Sequence, residues 1–160
     1  IALYMTKDLY EHGDGQWQFD YPAPGEAMPL GEGRVYNGSA KDLVIFTFGN
    51  GVPMALRAAR EIEKRRKWKV RVVDLRWLVP LNDAFIVEQA RNAKRIIVLD
   101  EGRKSAGVGE GIITAIVEGG LGATPLERVV GVDTYTPLAG AALLVLPGDA
   151  DVVAAADKFS

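Results

Sequence analysis

The chain has 160 residues, 48% of them hydrophobic, and a formal net charge of −2, which indicates one globular domain with a hydrophobic core. It has no cysteine, which excludes disulfides, thiolate zinc sites and cysteine nucleophiles. No apolar run approaches the ~20 residues that span a bilayer, no signal-peptide pattern is present, and the charge balance does not favour nucleic acid. We therefore expect a soluble, cytoplasmic protein that binds neither membranes nor nucleic acid.

The first 41 residues are rich in glycine, proline and aromatic residues and lack helical periodicity. Ile1–Met5 has the pattern of a strand. Because this run opens at Ile1 without a lead-in, we expect the chain to be a segment of a longer protein. The stretch from Glu11 to Gly33 is predicted to be irregular. Arg34–Tyr36 is predicted to be a short strand, ended by a turn at Asn37-Gly38, that returns as an antiparallel edge against the next strand.

From Leu43 onward, apolar strands alternate with amphipathic helices. The predicted strands are Leu43–Phe48, Val70–Leu75, Arg95–Asp100 and Arg128–Val132. The predicted helices are Gly51–Arg66, Asp83–Ala93 with Asn82 as its cap, Val108–Glu118, and Ala150–Phe159 with Asp149 as its cap. This alternation predicts an α/β fold, a three-layer sandwich around a mostly parallel sheet of about five strands with an antiparallel edge strand.

Gly13-Asp14-Gly15 resembles the start of a magnesium–diphosphate motif of thiamine enzymes, and Asn37 follows at a suitable distance. That chemistry requires an aspartate leaving a buried strand and a helix N-terminus that receives the diphosphate. Here the triplet leads instead into an irregular aromatic stretch. We predict a turn and no cofactor site.

His12, the only histidine, is predicted to lie on the surface, because metal sites recruit several ligands. We expect no metal site.

The segment that follows the third predicted strand contains the other candidate site. Asp100 and Glu101 end that strand, and open parallel sheets bind ligands at the carboxyl ends of their strands. Adjacent residues of a strand point to opposite faces, however, so these two carboxylates do not form an acid–base pair. The segment Gly107-Val108-Gly109-Glu110-Gly111 does not have the G-x-G-x-x-G spacing of a dinucleotide-binding loop, because position 112, where the third glycine would stand, is isoleucine. A flexible entry to a helix is the favoured interpretation. The alternative is an anion or a partner's carboxylate at that helix N-terminus, assisted by Arg103 and Lys104.

The residues alone provide no complete catalytic set, and the basic run from Glu61 to Lys67 is interpreted as a solvated helix end. Several stretches, however, resemble the C-terminal domain of the β subunit of thiamine-diphosphate-dependent 2-oxo acid dehydrogenases, in family order. These stretches are Ala27–Gly31, Leu43–Ala59, Val70–Leu81, Asp100–Gly102 with Gly107–Glu110, and Asp133–Pro137. The most specific block is Asp-Leu-Arg-Trp-Leu-Val-Pro-Leu at residues 74–81.

The resemblance implies that residues 1–26 are the tail of a preceding pyrimidine-binding domain with its linker, and that residues 27–160 form a transketolase C-terminal-like domain. The parent enzyme would decarboxylate a 2-oxo acid on thiamine diphosphate and magnesium and pass the acyl group to a lipoyl acyltransferase. The cofactor would be held by other domains, so this chain would bind none and the isolated chain would be inactive.

The resemblance also implies partners: the chain's own upstream domains or an α subunit, in a homodimer or heterotetramer, and the acyltransferase. Asp100, Glu101, Gly107, Gly109 and Glu110 are candidates for a position near the substrate or an interface. The candidates for acyltransferase contact are Glu127, Asp157 and Phe159.

Three alternatives remain open. The chain could be the C-terminal domain of a transketolase or of a deoxyxylulose-phosphate synthase, or a stand-alone doubly wound nucleotide-binding module, although the loop Gly49-Asn50-Gly51 is short for a phosphate. It could also be a purely structural dimerisation module, whose mark would be a dimer that buries apolar loops such as Thr136–Leu146.

The extra glycine and aromatic residues in Gly13–Phe19 suggest a variant group, with α and β halves fused in one chain.

Overall fold

The computed structural model describes residues 2–159. The elements follow one another along the chain in an alternating α/β order. The strands are β1 (Arg34–Tyr36), β2 (Leu43–Thr47), β3 (Val70–Asp74), β4 (Ile96–Arg103) and β5 (Leu126–Gly131). The α-helices are α1 (Ala2–Met5), α2 (Gly51–Arg66), α3 (Asp83–Ala90), α4 (Val108–Ile116) and α5 (Asp149–Asp157). A π-helical turn, Val117–Leu121, continues α4, and a 3₁₀ helix covers Ala139–Leu144.

The strands form one sheet in the order β1-β3-β2-β4-β5. All neighbouring pairs are parallel except β1 with β3. The predicted fold class is therefore confirmed. The expected partner of the edge strand was wrong: β1 pairs with β3 and not with β2, with Arg34 opposite Asp74. The reason is that β2 already has a parallel partner on each side, so the only open edge near β1 is the outer edge of β3.

Each face of the sheet carries its own hydrophobic core. One core joins the sheet to α2 and α5 through residues such as Ile45, Ile62 and Val152. The other joins it to α3 and α4 through Phe46, Ile86 and Ile112. Alternate β2 residues serve opposite cores, and all five are fully buried, as expected of a central strand covered on both sides. These two cores make the three layers of the sandwich.

Asn82 caps helix α3 as predicted, because its Oδ1 accepts a hydrogen bond from the Phe85 backbone N–H at 3.0 Å. The predicted cap Asp149 was wrong. Gly148 occupies the cap position of α5, its N–H donates to the Asp151 carboxylate at 2.8 Å, and Asp149 is the first helical residue. Asp149 instead binds Arg57 of α2 with two hydrogen bonds, of 2.6 and 2.8 Å, which hold the two helices together.

The N-terminal segment is where local prediction was least accurate. The predicted strand Ile1–Met5 was wrong for its described part, since Ala2–Met5 forms one helical turn, and Ile1 lies outside the described residues. None of the five strands in the described part of the chain pairs with this segment. The predicted irregular stretch is confirmed, because no regular element covers the residues between Met5 and Arg34. The domain boundary at residues 26 and 27 stays a prediction.

Ala139–Asp157 is long and apolar enough to meet the length and composition criterion for a membrane-spanning helix. In this fold the segment consists of two helices, separated at Val145–Gly148 by a stretch that contains Pro147. The second helix, α5, buries Val152 and Ala156 against the sheet. Burial in the domain core accounts for the apolar character of α5.

Replacing Asn82 tests how much its cap contributes. Asn82→Ala should lower the free energy of unfolding by about 1 kcal/mol, because the Phe85 N–H loses its acceptor. Asn82→Asp keeps the acceptor and removes only the Nδ2 donor to the Gly31 carbonyl, so it should destabilise the chain less. Urea unfolding of both variants measures this difference, and equal losses would show that the contact with Gly31 matters more than the cap.

Candidate functional site

In open α/β sheets, ligands bind in a crevice between two neighbouring strands whose connections lead to opposite sides of the sheet. Here those strands are β2 and β4, because the chain continues from β2 to β3 on one side and later adds β4 on the other. Asn50 follows β2, and Glu101 lies on β4. The Asn50 Nδ2 donates to Glu101 Oε1 at 2.7 Å, so the two sides of the crevice are joined. Gly51 begins α2 at this point, and a Cβ there would clash with Thr47 Oγ1. The protein's own side chains therefore occupy the crevice between β2 and β4.

Asp100 occupies the N-terminus of helix α4. Its buried carboxylate accepts hydrogen bonds from the Gly109 N–H at 2.9 Å and from the Gly102 N–H at 2.8 Å. The cap position itself is Gly107, where a Cβ would lie 2.7 Å from Asp100 Oδ2. Gly107 and Gly109 thus let the helix approach a carboxylate supplied by strand β4. Asp100 thus places a negative charge of the protein itself at this N-terminus, and the alternative of a foreign anion there stays a prediction.

Glu110 lies beside this arrangement and contacts Arg128 of β5, with 3.5 Å between Glu110 Oε1 and Arg128 Nη1. Within residues 2–159, Nε and Nη2 of Arg128 have no hydrogen-bond partner. Of the five predicted residues, Asp100, Gly107 and Gly109 come together, Glu110 is adjacent, and Glu101 faces Asn50 instead. Asp100, Gly107 and Gly109 join β4 to α4, Glu110 joins α4 to β5, and Glu101 reaches the residue that precedes α2.

The loops after β4 and β5 are also joined. Ser105 Oγ donates to Asp133 Oδ2 at 2.6 Å, and this hydrogen bond lowers the pKa of the Asp133 carboxyl below its ordinary value. Arg103 lies over the ring of Tyr135, 5.9 Å from its centroid. Arg103 and Ser105 therefore bind residues of the neighbouring loop, and neither is directed at the α4 N-terminus.

The Gly13-Asp14-Gly15 segment is a turn, as predicted. The Asp14 carboxylate accepts hydrogen bonds from four backbone N–H groups, those of Leu9, Tyr10, Glu11 and Gln16. Desolvation acts in the opposite direction, but these donors outweigh it and hold the pKa of Asp14 well below its usual range. Asp8 accepts in the same way from Gly13 and Gly15. Both carboxylates are used to shape the loop.

His12 is fully exposed, as predicted for a surface histidine, and its Nδ1 lies 3.6 Å from Asp8 Oδ2. Among residues 2–159, no group of three or more histidine, aspartate and glutamate side chains is arranged to hold a metal ion.

A cleft of about 1170 Å³ lies between the irregular N-terminal segment and the carboxyl end of β3, and the sequence did not indicate it. Its walls include Trp17, Phe19 and Trp77. Arg34 lies between the rings of Phe19 and Tyr36, at 5.7 and 4.9 Å from their centroids. In the sequence, the only feature that could have indicated this cleft is the cluster of aromatic residues in a glycine- and proline-rich segment. The cleft itself depends on the tertiary fold, which brings that segment over β3.

Two charged side chains of the block at residues 74–81, Asp74 and Arg76, also face this cleft. Burial raises the pKa of Asp74 above its ordinary value, although Arg76 lies close by, with 3.4 Å between Arg76 Nε and Asp74 Oδ2. Arg76 further contacts the Met28 sulfur through Nη1 at 3.0 Å. Asp74 and Arg76 therefore bind each other, and Arg76 also joins the loop after β3 to the N-terminal segment.

The three residues predicted to contact a partner lie together at the opposite end of the sheet. Glu127 Oε2 accepts from Lys158 Nζ at 2.8 Å, and Asp157 Oδ1 lies 3.7 Å from Arg66 Nη1. Phe159 is buried, and its carbonyl accepts from Arg66 Nη2 at 2.6 Å. The structure thus groups these residues, but both carboxylates are already paired with basic side chains.

A second group of exposed apolar residues lies in the segment of residues 134–146, here called the apolar loop. Its Tyr135, Leu138, Leu143 and Leu144 are 87%, 90%, 80% and 82% exposed. The chain carries no charged residue between Asp133 and Asp149. Contiguous exposed apolar residues of this kind mark interaction surfaces in soluble proteins.

Asp100→Asn tests the internal cap of α4. It should lower the free energy of unfolding by about 2–4 kcal/mol, because hydrogen bonds to a charged acceptor contribute roughly 1.5–3 kcal/mol each. The control is Glu110→Gln on the same helix, where the half-exposed carboxylate lies 3.5 Å from Arg128 and its loss should cost about 0–1 kcal/mol. Chemical denaturation measures both, and an Asp100→Asn variant as stable as the control would contradict the assigned role.

Known proteins similar to this chain agree with the fold. Residues 31–148 match the family model "Transketolase, C-terminal domain". The chain is 33% identical over 149 residues to the 3-methyl-2-oxobutanoate dehydrogenase subunit beta of Mycobacterium tuberculosis, covering 92% of this chain and 41% of the relative. It is 31% identical over 161 residues to the pyruvate dehydrogenase E1 component subunit beta of Rickettsia conorii, covering 99% and 47%.

A solved split-gene transketolase, an inactive β4 tetramer, superposes with a TM-score of 0.70 at 28% identity, over 87% of this chain and 44% of that one. The chain thus spans less than half the length of each of these relatives. Because the family model covers most of the chain and the strand order and helices fit it, the chain belongs to the transketolase C-terminal domain family.

Proposed function

We propose that this chain is the C-terminal domain of the β subunit, or β half, of a thiamine-diphosphate-dependent 2-oxo acid dehydrogenase, and that it supports the enzyme without carrying its active site. The observation that carries this proposal is that the protein's own side chains occupy the crevice between β2 and β4 and the N-terminus of α4. Asn50 and Glu101 join the crevice, and Asp100 occupies the N-terminus of α4. The similarity to β subunits of pyruvate and branched-chain dehydrogenases supports the choice of parent enzyme.

The residues of this chain do not fit thiamine diphosphate with magnesium. The Asp14 carboxylate is directed at four backbone N–H groups, and Asp8 at two more, so neither is aimed at a metal ion. The α4 N-terminus, which would otherwise suit a diphosphate, holds Asp100. We therefore assign cofactor binding to other domains of the parent enzyme. The same closed edge argues against a stand-alone nucleotide-binding module.

We assign the apolar loop to the assembly of the parent enzyme, as a contact with a second β chain, an α subunit or an upstream domain. Its exposed leucines would be unfavourable in water, and burial of apolar surface contributes about 25 cal/mol per Å². The structural relative that forms a β4 tetramer supports self-association of such chains.

The acyltransferase contact rests on family resemblance, and we propose it for the surface around Glu127, Asp157 and Phe159. Their grouping at one end of the sheet supports a single docking surface. The second candidate function is the C-terminal domain of a transketolase or of the related deoxyxylulose-phosphate synthase. The split-gene transketolase neighbour favours it.

An assay of the intact parent protein separates the two candidates. With magnesium and thiamine diphosphate, we expect it to reduce an artificial electron acceptor with pyruvate or a branched-chain 2-oxo acid. The acid that reacts names the substrate class. Activity on ketose phosphates without turnover of either 2-oxo acid would move the domain to the transketolase branch and remove the acyltransferase from its partners.

Substitutions in the apolar loop test its role in assembly. Leu138→Asp combined with Leu143→Asp should dissociate the parent assembly into smaller species, because two charges would then have to be buried at the contact. The matched control is Val79→Asp, since Val79 is similarly exposed but lies outside the loop. Sedimentation velocity measures the result, and an unchanged assembly would exclude the loop from the interface.

A further inference from the structure

Met28, at the rim of the cleft between the N-terminal segment and β3, is a half-exposed methionine with a charged neighbour. It lines the cleft and is 41% exposed. Arg76 Nη1 donates a hydrogen bond to its sulfur at 3.0 Å. Methionine mostly serves as an adaptable apolar filler of cores. The position of Met28 is different, because the residue is partly open to solvent and its sulfur lies beside a guanidinium group.

The two other methionines of the chain provide internal comparisons. Met5, on α1, is 66% exposed, and Met54, on α2, is 5% exposed. In the part of the chain that the structure describes, Met28 alone accepts a hydrogen bond at its sulfur. Exposure alone would therefore rank Met5 first for reaction with a dissolved oxidant, whereas the contact with Arg76 distinguishes Met28.

Arg76 is held in place by its own neighbour at the end of β3. Its Nε lies 3.4 Å from Asp74 Oδ2, and its backbone N–H donates to Asp74 Oδ1 at 3.2 Å. The side chains of Arg76 and Asp74 are only 28% and 15% exposed. Because a guanidinium is planar and its donors have a fixed arrangement, the contact at Nε also fixes the direction of Nη1. A stronger acceptor on residue 28 would therefore find its donor already in position.

Hydrogen peroxide converts a methionine thioether into a sulfoxide by a two-electron oxidation. A sulfur lone pair attacks one peroxide oxygen, and the S–O bond forms as the O–O bond breaks. The departing hydroxide takes the proton of the transferred oxygen and leaves as water, so the sulfur is oxidised and the peroxide is reduced. The departing oxygen gains negative charge during this step, and a preorganised cationic donor stabilises such charge. At Met28, Arg76 Nη1 is that donor.

We propose that Met28 is a reversible oxidation site, where peroxide forms a sulfoxide whose oxygen takes over the hydrogen bond from Arg76. A thioether sulfur is a weak acceptor, whereas a hydrogen bond from a guanidinium to a polar oxygen is strong. Sulfoxide formation disrupts apolar packing in cores, but at Met28 the new oxygen lies at an exposed rim. Oxidation therefore fixes the N-terminal segment more firmly to the loop after β3, and methionine sulfoxide reductases restore the thioether. This inference goes beyond the proposed function and does not depend on the identity of the parent enzyme.

The first experiment follows the oxidation of each methionine in the full chain. Dilute hydrogen peroxide is added, and sulfoxide formation at Met5, Met28 and Met54 is timed by peptide mass spectrometry. Met28 should react at least threefold faster than Met5, although Met5 is more exposed, and the buried Met54 should stay unmodified over the same time. A rate at Met28 that is less than threefold above the rate at Met5 would overturn the proposal.

Variants of Arg76 test whether its guanidinium is the cause. Arg76→Gln removes the charge and should slow oxidation of Met28 at least threefold, while Arg76→Lys keeps a cation and should slow it less. The matched control is Arg91→Gln, which removes an exposed arginine elsewhere in the chain and should leave every rate within twofold. Unchanged oxidation of Met28 in Arg76→Gln would overturn the assigned cause. The third experiment needs no substitution of Arg76, so it decides the case if this variant does not fold.

The third experiment measures what oxidation does to the N-terminal segment. Amide hydrogen exchange at Glu32, whose N–H donates to the Pro29 carbonyl at 3.2 Å, is followed by NMR before oxidation, after it, and after treatment with methionine sulfoxide reductases A and B. Exchange should slow at least twofold on oxidation and recover on reduction. Met28→Leu is the control for oxidation at Met5 and should show no change. Unchanged or faster exchange in the oxidised wild type would show that the sulfoxide oxygen does not strengthen the contact with Arg76, and would overturn the proposal.

Discussion

The carboxylate of Asp100 holds the end of the central strand β4 to the beginning of α4, and the other features of the carboxyl edge depend on this contact. It requires glycine at 107, where a Cβ would overlap the carboxylate, and it fixes Gly109 within hydrogen-bond distance. In many doubly wound proteins a ligand's negative group takes the same place. Here the protein supplies the charge itself, so the helix is stabilised without a ligand.

The described structure offers two features through which such a domain can meet other parts of an enzyme. One is the exposed apolar loop. The other is the cleft between the N-terminal segment and β3, which opens at the carboxyl end of the sheet and where Arg76 contacts Met28 of that segment. Assembly is the role that we propose for the apolar loop, and the similarity to β subunits agrees with it.

Sequence periodicity predicted the elements that have a strong local signal and a buried face. Helix Gly51–Arg66 matches its predicted bounds, and Asn82 caps α3 as expected, because both depend on neighbouring residues. Asp149 has the composition of a cap but binds Arg57, which lies far away in the chain. The role of Asp100 likewise depends on a helix that begins eight residues later, so only the folded structure reveals it.

The most direct test of the closed carboxyl edge is an NMR titration of the isotope-labelled chain. Thiamine diphosphate with magnesium, ADP and a reduced nicotinamide dinucleotide are added in turn, and the amide resonances of Gly51 and Gly109 are followed. Because Thr47, Asn50 and Asp100 already occupy these positions, we predict no saturable shift of either resonance at millimolar ligand. A saturable shift of Gly51 or Gly109 would show that the edge opens to a ligand and would contradict a purely supporting role.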